Sequence, residues 1–132
     1  MKNILIGFLL SVASLSVNAL CLKTEDYQGI EIREYNQYYP RKGDASDSVI
    51  DLVFDGVNSG ISGTGFKCIQ PDTSVLLMHC ENYSKGKGYI DSWSIDLKNK
   101  VVFYTKHVSG FSEIKTNGIS VYLGRVVGSC SA

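Results

Sequence analysis

The chain has 132 residues, thirteen Lys or Arg against thirteen Asp or Glu, and two histidines. A net charge near zero gives no general electrostatic pull on phosphate backbones, which argues against a nucleic-acid binder and, for the same reason, against an anionic membrane surface. The length fits one domain.

The chain opens with MKNILIGFLLSVASLSVNAL. Lys2 supplies a positive start, Ile4 to Leu10 an apolar run, and Val17-Asn18-Ala19 a small-residue ending, the three parts of a secretory signal peptide. The apolar run is too short to span about 30 Å of hydrocarbon as a helix. Cleavage is expected after Ala19, which makes 1–19 a leader and 20–132 a single exported domain, periplasmic or secreted. Leu20 stands where lipid attachment at Cys21 would call for a small residue, so the chain is not expected to be held in a membrane.

Four cysteines follow the leader: Cys21, Cys68, Cys80 and Cys130. An even number in an oxidising compartment reads as two disulfides. No C-x-x-C spacing and no H-x₃₋₅-H pair supports zinc, so neither metal nor cofactor is expected. Three pairings are open. The preferred one joins Cys68 to Cys80 across a segment that Pro71-Asp72 can turn, and Cys21 to Cys130, stapling the two ends of the domain. In the chain-entropy account these closures contribute roughly 3 and 4.7 kcal/mol.

Along the chain, Gly29-Ile-Glu-Ile-Arg33 alternates as a strand does, and Tyr38-Tyr39-Pro40 turns a corner after it. In SVIDLVFDGVNSG the period changes: Ser48, Asp51, Asp55 and Asn58 form one polar helical stripe, opposed by Val49, Ile50, Val53, Phe54 and Val57. This predicts the one helix of the fold, capped by Ser46 or Asp47 and ended by Gly60. Gly56, Gly60, Gly63 and Gly65 lack the Gly-Lys-Ser/Thr ending of a phosphate loop and read as a flexible connection. Asp51, Asp55 and Asn58 do not match a calcium loop and read as a solvated face.

From Gly63 onward the runs GFKCIQ, SVLLMHCENY, YIDSWSIDL, VVFYTKHV and GISVYLGRVV are strands parted by Pro-Asp, Lys-Gly-Lys-Gly, Lys-Asn-Lys and Thr-Asn-Gly turns. A three-residue loop at Lys98-Asn99-Lys100 would set Leu97 opposite Val101, Ile95 opposite Phe103, Trp93 opposite Thr105 and Asp91 opposite His107. The fold expected is α+β, an antiparallel meander of five or six strands with one packed helix, stapled by disulfides. An all-β sandwich or barrel is the alternative.

Candidate chemistry is sparse. His79 and Cys80 are adjacent, but strand neighbours point to opposite faces, so the imidazole does not activate that sulfur. His79 and His107 would suit an acid–base pair of the ribonuclease kind if they converged, with a lysine such as Lys85, Lys87 or Lys106 to hold developing charge. Asp91 opposite His107 would orient the ring, or form a cross-strand ion pair at the rim. The segment NYSKGKGY places Lys85 and Lys87 between Tyr83 and Tyr89, a basic, tyrosine-flanked loop suited to an acidic cleft at a protein interface.

Ser84-Lys85-Gly86 resembles the serine-lysine-glycine segment of bacterial periplasmic inhibitors of C-type lysozyme, which are likewise small, exported, cysteine-stapled β proteins. The likeness spans three residues. The family's preceding Ser-Gly segment would fall at Ser62-Gly63, farther upstream than its usual spacing, and membership is not assigned. The resemblance implies a mode of action in which a rigid β scaffold pushes a loop into an enzyme's cleft. The leading expectation is therefore a non-enzymatic, exported protein-binding domain, most concretely an inhibitor or immunity protein against a cell-wall hydrolase or toxin. A small secreted hydrolase using His79 and His107 comes second, and a surface- or host-directed binding module third.

Overall fold

A computed structural model describes residues 19–43 and 48–130. The expected leader lies almost wholly outside the described residues, as do the expected helix caps Ser46 and Asp47. Nine strands follow in order: β1 (Leu20–Arg33), β2 (Arg41–Lys42), β3 (Ile50–Phe54), β4 (Ser59–Ile61), β5 (Lys67–Ile69), β6 (Leu77–Ser84), β7 (Lys87–Asp96), β8 (Val101–Ser109) and β9 (Gly118–Ser129). Each pairs antiparallel with its neighbour, and β9 returns to pair with β1. Eight strands thus close into an antiparallel barrel, with β2 a short flap on the outer part of β1. The expected α+β architecture is wrong, and the all-β alternative is the one observed.

The correction centres on residues 48–60. Among the described residues the only helical pieces are the 3₁₀ turns Glu34–Asn36 and Gly56–Asn58. Ile50–Phe54 is a strand in which Leu52 and Phe54 are buried while Asp51 and Val53 stand on the other face. β-branched Ile50 and Val53 with Phe54 suit a pleated surface better than a helix interior. The stretch also has partners on both sides: Leu20–Thr24 of β1 and Gly60-Ile61 of β4. Gly60, expected to end a helix, lies in β4, where a Cβ would sit 2.6 Å from the Phe66 carbonyl oxygen.

β1 makes closure possible. Its first five residues pair with β3, Ile30-Glu31 pair with β2, and its other edge runs along β9. The ladder with β9 slips between Glu25 and Gln28, where Asp26 takes a left-handed φ of 57°. Such a bulge bends the strand and increases its twist, as a closing sheet requires.

The interior of this small barrel is filled with side chains. Leu22, Tyr27, Leu52, Phe54, Met78, Trp93, Val102 and Val126 form one buried cluster. Trp93 stacks on Tyr104 at 4.5 Å, Tyr104 on Tyr122 at 5.8 Å, and Tyr27 meets the Tyr104 ring edge-on at 6.2 Å. Thr24, fully buried, shares a 2.5 Å hydrogen bond with the Tyr27 hydroxyl and donates to the Ile50 carbonyl at 2.7 Å. An eight-stranded barrel can be filled by side chains or hold one small ligand, and here these side chains occupy it.

Of the three open pairings, the structure shows the preferred one. Cys68 and Cys80 are direct cross-strand partners of β5 and β6. Cys21 and Cys130 tie the start of β1 to the end of β9, beside a 3.0 Å bond from the Cys130 amide to the Cys21 carbonyl.

Candidate functional site

The β6–β7 hairpin runs past the barrel wall and ends in a two-residue turn, Lys85-Gly86, with φ of 51° and 76°. Positive φ at both central positions is the turn geometry whose twist matches the flanking strands. Glycine takes it freely, and Lys85 accepts it at an exposed tip with its side chain in solvent. Ser84 pairs with Lys87, Tyr83 with Gly88 and Asn82 with Tyr89. Alternation then sorts the side chains: Tyr83 stands on the outer face, and Asn82, Ser84, Lys87 and Tyr89 on the inner one.

On the outer side a groove of ≈ 430 Å³ is lined by Tyr83, Lys85, Lys87, Ile90 and His107. On the inner side a second, of ≈ 250 Å³, is lined by Asn82, Lys85, Lys87, Tyr89 and Phe111. The Lys87 ammonium lies 5.6 Å from the Phe111 ring centre and that of Lys106 lies 5.2 Å from the Tyr89 ring. Phe66 meets Tyr89 edge-on at 6.2 Å. Among the described residues, no carboxylate pairs with Lys85 or Lys87, since the ion pairs found are His79 with Glu81 and Arg125 with Glu25 and Asp26. The four residues expected to meet a partner, Lys85, Lys87, Tyr83 and Tyr89, therefore form one projecting, cationic and aromatic tip.

The β8–β9 loop braces this tip. Gly110 packs so closely on the hairpin that a Cβ there would lie 2.0 Å from the Gly86 carbonyl oxygen. Asn117 accepts from the Phe111 amide at 2.8 Å and donates to the Phe111 carbonyl at 2.6 Å and to a Glu34 carboxylate oxygen at 2.8 Å, fixing where Phe111 stands. Phe66, Phe111 and Asn117 were not singled out from the sequence. Thr-Asn-Gly was legible as a turn, but that its asparagine would position an aromatic six residues upstream carries no sequence signature.

The histidines part company. His79 and His107 both point outward, but β7 lies between them. His79 is opposite Ser92 and His107 opposite Ile90, which puts them on the order of 10 Å or more apart. His79 faces Glu81 at 3.9 Å, away from the groove that His107 lines. The expected pairing of Asp91 with His107 is also corrected. The β7–β8 connection is four residues, Leu97–Lys100, so Asp96 pairs with Val101, Trp93 with Tyr104 and Asp91 with Lys106. Turn chemistry decides this: Asp96 accepts from the Asn99 amide at 3.1 Å and from its side-chain nitrogen at 2.8 Å, and Lys100 takes a left-handed φ of 55°.

Asp91 points into the barrel and is 3% exposed. Burial pushes its carboxyl above the ordinary carboxylate range, against a 2.7 Å bond from the Tyr104 hydroxyl and the nearby positive charges of Lys106 and Arg33. Desolvation first, and Asp91 second, push the Tyr104 phenol up. Arg33, 8% exposed, donates to the Thr116 carbonyl at 2.9 Å and the Ser120 hydroxyl at 2.5 Å. Arg33, Glu31 and Tyr35, whose hydroxyl donates to Glu31, line a pocket of ≈ 370 Å³ at the barrel mouth together with Tyr89, Lys106 and Phe111. Among the described residues no cluster of three or more His, Cys, Asp or Glu is placed to hold a metal ion.

Fold and site together define a class: a disulfide-stapled, eight-stranded antiparallel barrel with a filled interior and one braced, cationic hairpin tip. Comparison of the chain with protein-family models, with curated proteins and with solved structures finds no match. The two disulfides are consistent with an oxidising compartment.

Proposed function

We propose that this chain is an exported, periplasmic or secreted, non-enzymatic domain that binds another protein by inserting the β6–β7 tip into an acidic cleft. An inhibitor or immunity protein directed at a cell-wall hydrolase or toxin is the most concrete form of that reading. The observation that carries it is the tip itself: two lysines that pair with no carboxylate among the described residues, flanked by Tyr83 and Tyr89 and held forward on a rigid barrel. Cations without an ion-pair partner are available to a complementary surface, and aromatic side chains supply contact area at little entropic cost. Side chains occupying the interior favour a scaffold role for the barrel. His79 and His107 stand on either side of β7, which favours a binding role over the hydrolase alternative.

The test is affinity capture with the mature, oxidised protein as bait against envelope hydrolases and toxins, followed by titration of the captured partner. Lys85→Ala with Lys87→Ala should weaken binding at least ~10-fold, as loss of central interface anchors does, with the thermal transition unchanged. Capture of a partner whose affinity is indifferent to both substitutions would take the hairpin out of the account.

A further inference from the structure

The filling of the interior changes character toward the end of the barrel that the β8–β9 loop borders. Register stacks the inward positions of β7, β8, β9 and β1 into rungs. Trp93, Tyr104 and Tyr122 share one with Gly29, the stacked aromatics of the core. The next holds Asp91, Lys106, Ser120 and Glu31, and the last Tyr89, Val108, Gly118 and Arg33. A whole inward rung of polar side chains gives up the apolar packing of a barrel interior, and burying such groups costs free energy. Departures of this kind from what folding alone favours mark functional sites.

Above that rung lies the mouth pocket of ≈ 370 Å³, within the range of small-molecule sites, about 300–1,000 Å³. Tyr35, Tyr89, Phe111 and Val108 wall it, and Arg33 and Lys106 stand there against the single acid Glu31, leaving positive charge in excess. Among the described residues neither cation has a carboxylate within ion-pair distance. Yet Arg33 is only 8% exposed, and charges that deep are ordinarily paired. Its bonds to the Thr116 carbonyl and the Ser120 hydroxyl hold the guanidinium in place without neutralising it. The nearby acids are turned elsewhere: Glu31 accepts from the Tyr35 hydroxyl, and Asp91 accepts from Tyr104 and feels both cations at longer range. We infer that the barrel mouth binds a small organic monocarboxylate, its apolar body against Tyr89, Phe111 and Val108 and its carboxylate against Arg33 and Lys106. A guanidinium fork matches the two oxygens of a carboxylate. One charge is the complement, because Glu31 on the wall and Asp91 beneath it repel a second. The apolar wall selects a ligand with a body over a bare inorganic anion. Asn117 fixes Phe111, and Arg33 ties β1 to the β8–β9 loop, so the pocket is formed in advance and binding orders little. Tyr83 and Lys85 do not line this pocket, so the inference stands apart from what the β6–β7 tip binds.

The test is an NMR titration of the oxidised protein with naphthoate and with octanoate, an aromatic and an aliphatic acid. At least one should saturate with a Kd below about 1 mM, moving the amide signals of Arg33, Tyr89, Lys106 and Phe111 most. The neutral carboxamide of the same body should bind at least ~10-fold more weakly, as loss of hydrogen bonds to a charged group does. Lys106→Met keeps the apolar stem and removes the charge, and should weaken binding by a similar factor with the thermal midpoint retained. Lys98→Met, in the turn at the far end of β7, should leave binding unchanged. The carboxamide comparison needs no variant, so it decides even if a substitution at the mouth unfolds the protein. No saturable shift at the mouth with either acid overturns the inference, as does a carboxamide that binds as tightly as its acid. Wild-type affinity in a folded Lys106→Met protein, or saturation centred on the β6–β7 tip, overturns it as well. Each of these failures leaves the partner titration of Lys85 and Lys87 untouched.

Discussion

Asp91 shows how much one residue's role depends on which face it occupies. From the sequence it could be an orienting partner for His107 or a rim charge. In the barrel it is an acid enclosed with Tyr104, Lys106 and Arg33. Because the folded chain holds the Asp91 proton more tightly than the unfolded chain does, ionising it costs stability. That cost is absent below the range where an unfolded aspartate titrates, near 4, and grows as pH rises toward the raised folded value. Asp72 and Asp96 act in the opposite sense. Hydrogen bonds from Ser74 and from Asn99 hold their carboxyls below the usual range, so what they contribute is lost on acidification. Comparing urea unfolding of the wild type with Asp91→Asn across pH 3 to 8 isolates the first effect. The amide oxygen still accepts from Tyr104, so the variant should gain on the wild type as pH rises through that window. Parallel profiles would show that Asp91 titrates normally.

At the scale of elements, what was legible in the sequence depended on how one-sided each strand is. β6 read correctly because Met78 and Cys80 alternate with His79 and Glu81, and the structure buries the first pair and leaves the second outside. β8 did not, because Val101, Val102, Phe103 and Tyr104 are apolar on both faces, so hydrophobic pattern alone cannot choose between two registers one residue apart. Asp96 chose, by bonding Asn99 and closing a four-residue turn. Residues 48–60 failed for a related reason. The spacing of Ser48, Asp51, Asp55 and Asn58 fits a helix, but the alternation of Ile50, Leu52 and Phe54 fits a strand equally, and the free edges of β1 and β4 decided. The candidate tip was legible because a turn announces itself locally, whereas its supports on the β4–β5 and β8–β9 loops are long-range. Local geometry at that tip can be tested directly. Gly86 has φ of 76° and nothing lies within 4 Å of the place a Cβ would take, so any penalty for a side chain there is backbone strain alone. Gly86→Val should cost about 1–2 kcal/mol of stability and weaken partner binding by reshaping the tip. Gly86→Asn, whose side chain tolerates the left-handed region, should lose less than half as much in both measurements. Equal losses would mean that side-chain bulk, not φ, sets the tip.

For the whole molecule the decisive contact is the seam where β9 meets β1, since it turns an open meander into a ring and pairs the free edge of β9, leaving, among the described residues, only short β2 as an edge strand. No short sequence window announces a pairing between segments about a hundred residues apart, and the leading expectation of an open sheet with a helix followed from reading neighbours alone. The cysteines were the one sequence feature that spoke to it. Cys21 and Cys130 sit 109 residues apart and lie at the end of that seam, whereas Cys68 and Cys80, 12 apart, reinforce two strands already joined. In the chain-entropy account the long closure contributes ~4–5 kcal/mol and the short one ~3 kcal/mol. Cys21→Ala with Cys130→Ala should therefore lower unfolding free energy by the larger amount. It should also steepen the urea dependence, because freeing the ends expands the denatured chain and exposes more surface on unfolding. Cys68→Ala with Cys80→Ala should lower stability with little change in that slope. Those two sulfurs are 1% and 2% exposed beside Met78 and Trp93, so lost packing would add to the second pair's cost without touching its slope. The slope therefore separates the two roles where the stability loss cannot. If removing Cys21–Cys130 left both quantities within about 1 kcal/mol and 10% of the wild type, the hydrogen-bonded ladder between β1 and β9 would be closing the barrel unaided, and the terminal staple would be redundant to the fold.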